Sequence, residues 1–118
     1  GLAYVDGALY ALGGNTTTNA WKYDAATTTW SAIASTPAAV GAGGSLTTDG
    51  VGIYAFRGAA QTTFWRYSVA RDTWTELPLT PGAISAGGAM AVLNDVTYGL
   101  RGDDTAAFWK YPLPIYER

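Results

Sequence analysis

Hydrophobic and polar positions alternate in short runs along the chain, with a period of two and no run long enough for an amphipathic helix. The middle of the sequence is clearest: residues 44–48, 53–57, 64–69 and 73–77 are rich in aromatic and β-branched side chains. Asp49-Gly50, the stretch 58–63 and Ala70-Arg71-Asp72 separate these runs. Such breakers between alternating runs are hairpin signals, so this stretch predicts four consecutive antiparallel strands.

The same pattern occurs three times. Trp21-Lys22-Tyr23, Trp65-Arg66-Tyr67 and Trp109-Lys110-Tyr111 stand 44 positions apart. Tyr10, Tyr54 and Tyr98 keep that spacing, as do Gly14, Gly58 and Gly102, Trp30 with Trp74, Pro37 with Pro81, and Gly43-Gly44 with Gly87-Gly88. A repeat of this length means propeller blades or a helical array. Glycine pairs, prolines and Thr-Thr runs within each unit exclude the helical array. The expected fold class is therefore all-β, as four-stranded antiparallel blades: blade 1 at about 1–40, blade 2 at about 41–84 and an incomplete blade 3 at about 85–118 of a single repeat domain.

The order Leu9-Tyr10-Ala11-Leu12-Gly13-Gly14, Tyr23-Asp24, Trp30, Pro37 and a glycine-rich strand resembles the kelch repeat over nearly the whole chain. The sequence departs from that pattern where Arg57 and Arg101 replace the first glycine of the pair. The arginine that often precedes the innermost strand is also absent, with Val40 and Ile84 near its place, so the peptide capture it serves in some kelch domains is not expected. The resemblance implies a β-propeller in which the in-phase aromatics Trp21, Tyr23, Trp30, Trp65, Tyr67, Trp74, Trp109 and Tyr111 pack between blades. Lys22, Arg66 and Lys110 alternate with them and are expected to point the other way, as solvated cations rather than cation–π partners.

Closed propellers use typically about 4 to 8 blades, and this sequence supplies two full periods and most of a third. Three blades leave two aromatic faces uncovered, more apolar surface than a soluble monomer normally shows. Self-association is therefore expected, either as two copies closing a six-bladed ring or as an extended array, with a piece of a longer kelch protein as the plainer rival. The chain begins at Gly1 rather than methionine, so a processed, trimmed or excised piece is expected. The segment 112–118, Pro-Leu-Pro-Ile-Tyr-Glu-Arg, reads as a blunted edge, as an arm that docks on another subunit, or as the point from which more chain once followed.

Composition narrows the chemistry. Cysteine and histidine are both absent, which removes disulfides, thiolate chemistry, imidazole bases and the usual zinc sets. Seven basic against nine acidic residues give a net charge of −2, which argues against nucleic acid as a partner. The longest uncharged runs are interrupted by proline and glycine, so no membrane span is expected. A Thr/Ala/Gly surface without thiols suits the exterior of a cell or its surface.

Asp103, Asp104 and Glu76 do not specify the paired-carboxylate spacing of a glycosidase, and phosphate-loop motifs are missing, so no enzyme activity, metal or cofactor is expected. The charged and amide residues expected to gather on one loop face are Arg57, Arg101, Asp103, Asp104, Gln61, Asn15 and Asn19. They would serve a glycan or protein ligand, or simply solvate their loops.

Overall fold

The computed structural model describes residues 1–94 and 96–112. Eleven β-strands and no helix occur among them. The strands are β1 Leu2–Val5, β2 Ala8–Leu12, β3 Ala20–Asp24, β4 Thr29–Ala32, β5 Ser45–Thr48, β6 Gly52–Phe56, β7 Phe64–Ser68, β8 Thr73–Leu77, β9 Ala89–Leu93, β10 Val96–Leu100 and β11 Phe108–Pro112. They form three antiparallel sheets in plain up-and-down order: β1 to β4, β5 to β8 and β9 to β11. The registers repeat in phase, so that Ala11↔Trp21, Ala55↔Trp65 and Gly99↔Trp109 occupy the same place in successive sheets.

Local chemistry sets the turns. Asp6 and Gly7 both adopt positive φ between the paired Val5 and Ala8, a two-residue turn whose twist matches the flanking strands. In the second sheet Asp49 Oδ1 accepts hydrogen bonds from the Val51 and Gly52 amides, both at 2.9 Å, and so closes the β5–β6 hairpin.

Strand alternation gives each sheet two faces, one carrying the Trp-x-Tyr side chains and one its reverse. The tryptophan face of the second sheet, with Ile53, Ala55, Trp65 and Tyr67, packs on the reverse face of the first, with Ala3, Val5, Ala8 and Tyr10. Its own reverse face, with Tyr54, Phe56 and Phe64, meets Met90, Val92, Trp109 and Tyr111 of the third. Strand β5 lies between β1 and β9, so the first strands of the three sheets stand side by side. The glycines where these strands begin are forced by contact: a Cβ on Gly43 would collide with the Ser85 carbonyl oxygen. The segment 113–118, expected as a blunted edge or docking arm, lies outside the described residues.

Candidate functional site

The eight in-phase aromatics fall into two environments. Trp65 and Tyr67 are buried against the first sheet, and the half-buried Trp74 lies over the linker behind them. Trp109 and Tyr111 are half-buried against the second sheet. Trp21, Tyr23 and Trp30 occupy the tryptophan face of the first sheet, on which no other sheet packs among the described residues, and Trp21 is 38% exposed against 1% for Trp65. At the opposite end, Leu100 and Phe108 on the reverse face of the third sheet are 47% and 61% exposed, whereas Phe56 and Phe64, their counterparts in the second, are buried.

Both open faces keep the geometry of their buried counterparts. Tyr23 and Trp30 hold their rings 5.0 Å apart, and Tyr67 and Trp74 4.8 Å. Tyr98 and Phe108 stack at 5.9 Å, and Tyr54 and Phe64 stand at 6.2 Å. Each open face is therefore already arranged as a packing surface.

The loop residues are engaged in building the loops. Gly14-Asn15-Thr16, Gly58-Ala59-Ala60 and Gly102-Asp103-Asp104 are each three successive residues of positive φ. Amides of Thr17, Gln61 and Thr105 close them onto the carbonyls of Gly14, Gly58 and Gly102. The exposed Asp103-Asp104 pair thus holds the two central positions of a mirror-type turn, where aspartate is tolerated. Arg57 and Arg101 are half-buried, and their Nε atoms donate to the carbonyls of Ala39 and Ala83, both at 2.9 Å. Asn15, Asn19 and Gln61 are exposed at the same end of the sheets. Among the described residues no group of three potential metal ligands occurs.

Arg66 departs from the expectation of a solvated cation. It is buried, with its guanidinium carbon 5.8 Å from the Tyr54 ring centroid and its Nε 3.4 Å from the Tyr54 hydroxyl, which itself donates to Asp49. The cause is the turn over it: Gly52 has no side chain, and the guanidinium occupies the space a Cβ would take. Lys22, in phase with it, is half-buried, and Lys110 is exposed.

A polar clamp, absent from any motif in the sequence, locks the second sheet to the linker leaving the first. Asp72 Oδ1 accepts from the Tyr67 hydroxyl at 2.6 Å and from the Ala34 amide at 2.9 Å, while Trp74 Nε1 donates to the Ala34 carbonyl at 2.8 Å. These bonds hold the Asp72 carboxyl below the usual carboxylate range, the Tyr67 hydroxyl being the larger influence. Burial, reinforced by the Asp72 hydrogen bond and charge, pushes the Tyr67 hydroxyl well above its ordinary value. Burial does the same for Tyr10 and Tyr54.

The fold has solved counterparts. A structure described as "Structure of YjhT" is 21% identical, with a TM-score of 0.69 over 83% of this chain. The matched region is 32% of that protein, so the present chain spans about a third of its length. No protein-family model matches the sequence. No curated protein matches it either. Among the described residues no helix is long and apolar enough to cross a membrane.

Proposed function

We propose that this chain is a non-catalytic structural and interaction module. Its sheets act as kelch-like propeller blades, and copies assemble head to tail outside the cell. One observation carries the reading: the two open faces, Trp21, Tyr23 and Trp30 at one end and Tyr98, Leu100 and Phe108 at the other, are in phase with residues that already pack against each other inside the chain. The internal interfaces supply the template for a contact between copies. Such a contact joins two different surfaces, so it gives a ring when the rotation closes and a filament when it does not. Two copies of three blades would close six, within the range of closed propellers.

Ligand capture by the loop face finds less support. The Arg57 and Arg101 Nε atoms are tied to carbonyls, and Asp103 and Asp104 serve their turn.

The test is the solution mass by light scattering over a concentration series. Twice the 12.4 kDa chain mass supports the ring, and larger species support the open array. Either should collapse to the monomer in Trp21→Glu or Phe108→Glu. A wild-type chain that stays monomeric at micromolar concentration overturns the proposal and makes further sheets of a longer chain the natural cover for these faces.

A further inference from the structure

The loops that join the second and third strands of each sheet share one backbone and differ in side chains. Their tips are Gly14-Asn15-Thr16-Thr17, Gly58-Ala59-Ala60-Gln61 and Gly102-Asp103-Asp104-Thr105. Asn15 and Thr16 hold the central positions of the first tip at φ of 50° and 62°, and the Thr17 amide and hydroxyl both donate to the Gly14 carbonyl, at 2.9 and 2.7 Å. The third tip builds the same turn with Asp103 in the place of Asn15, and Thr105 Oγ1 donates to the Gly102 carbonyl at 2.8 Å. Turn geometry alone therefore does not call for asparagine at 15.

What asparagine adds is chemical. Asn15-Thr16-Thr17 is an asparagine, a non-proline residue and a hydroxyl residue in that order, whereas Asn19 and Asn94 have Trp21 and Val96 at the third place. The structure puts this triplet where a large adduct fits. Asn15 and Thr16 are exposed, and a Cβ added at Gly14 would meet nothing within 4 Å, so the tip stands clear of its surroundings. The Thr16 amide donates to the Val40 carbonyl at 2.9 Å, which ties the tip to the linker entering the second sheet. Val40 packs in the core between the first and second sheets, so the tip lies on the side of the first sheet turned away from Trp21 and Trp30.

We propose that Asn15 is an attachment site for an N-linked glycan, a reading that rests on the exterior location proposed above. The donor class is an oligosaccharide carried on a lipid pyrophosphate. Its anomeric carbon bonds to Asn15 Nδ2 as the bond to the pyrophosphate oxygen breaks, the Nδ2 proton is given up to a base, and the lipid pyrophosphate leaves, with no change of oxidation state. The hydroxyl two residues on is the group that marks the asparagine as an acceptor, and in the closed loop Thr17 Oγ1 is already bonded to Gly14, so transfer precedes loop closure. Once the loop has closed, the exposed Asn15 side chain directs the sugar away from both open sheet faces, which makes glycosylation compatible with assembly.

The experiment translates the full chain behind a cleavable leader in the presence of endoplasmic-reticulum microsomes and follows the protease-protected product by intact mass, so neither folding nor assembly is required. The expected product is heavier than the chain alone, and an amidase that releases N-glycans converts it to the mass of the Asn15→Asp variant. Asn15→Asp, which keeps the turn chemistry of the third loop, and Thr17→Ala should each abolish the modification, whereas Thr17→Ser should retain it. A glycan that survives Asn15→Asp overturns the proposal. A bare microsomal product overturns it at Asn15 itself, while a glycan on the microsomal product but none on the chain isolated from its own cells places the failure in the exterior location. Assembly is judged separately by the light-scattering series.

Discussion

The second sheet and the first are built from the same 44-residue pattern, yet they use it differently. In the second, β6 and β7 are buried from end to end; in the first, β3 buries only Ala20 and leaves Trp21 open. Registers and ring spacings agree between them, so the difference does not come from local sequence. It comes from the sheets packed against each among the described residues, two for the second sheet and one for the first. A Trp-x-Tyr strand in this molecule is preformed as one half of an interface, and burial depends on whether the other half arrives.

The largest expected effect tests that asymmetry directly. Trp65→Ala removes a side chain enclosed between two sheets and should cost about 3–5 kcal/mol in denaturant unfolding. Trp21→Ala, measured under conditions that keep the chain monomeric, should cost clearly less, about 1–2 kcal/mol, because the Trp21 side chain is only partly covered, at 38% exposed against 1% for Trp65. Equal losses would mean that the first sheet is supported by something other than its packing on the second.

The clamp sharpens the comparison, because the first sheet has Thr28 where the second has Asp72. A carboxyl held low in the folded state contributes stability that is complete above the ordinary carboxylate value near about 3.9. That contribution fades as the pH falls through the depressed folded value, and Asp72→Asn should flatten this acid limb. The tyrosines act at the other end. Tyr67, Tyr10 and Tyr54 hold their protons more tightly when folded, so stability should decline as the pH rises past about 10, where the unfolded chain ionises first. Unfolding curves at a series of pH values give both limbs. A flat alkaline limb would show that the buried hydroxyls do not control it.

The smallest effect concerns the mirror-type turns. Asn15 and Asp103-Asp104 are types that enter the left-handed region readily, whereas the second sheet places Ala59 and Ala60 there at φ of 54° and 58°. Ala60 is exposed, so Ala60→Gly should relieve backbone strain and stabilise by about 0.5 kcal/mol, net of the extra freedom glycine has when unfolded. An unchanged melting temperature for Ala60→Gly would indicate that the closing hydrogen bonds, rather than φ, govern these turns.

Much of the fold was legible because the phase of the repeat could be read from glycines, tryptophans and tyrosines without any energetic argument. The strands expected at 44–48, 53–57, 64–69 and 73–77 differ from β5 to β8 by no more than one residue at an end. What was hidden depends on neighbours or on missing atoms. Arg66 reads as solvated because it sits out of phase with the aromatics on either side, and its burial requires both the Gly52 turn and Tyr54. Ala59-Ala60 carries no turn chemistry of its own, and only its alignment with Asn15-Thr16 and Asp103-Asp104 marks it.

The phase of the interfaces bears on how such a chain could lengthen. A unit of 44 residues covers one open face when it is appended and presents a new face of the same kind. Tandem copying of the coding segment could therefore extend the molecule without inventing a new contact, and divergence could then proceed unit by unit. The exchange of Ile53 for Thr97 and of Ala55 for Gly99 has the form of such divergence, with Phe56 filling the space that the lost methyl of Gly99 leaves.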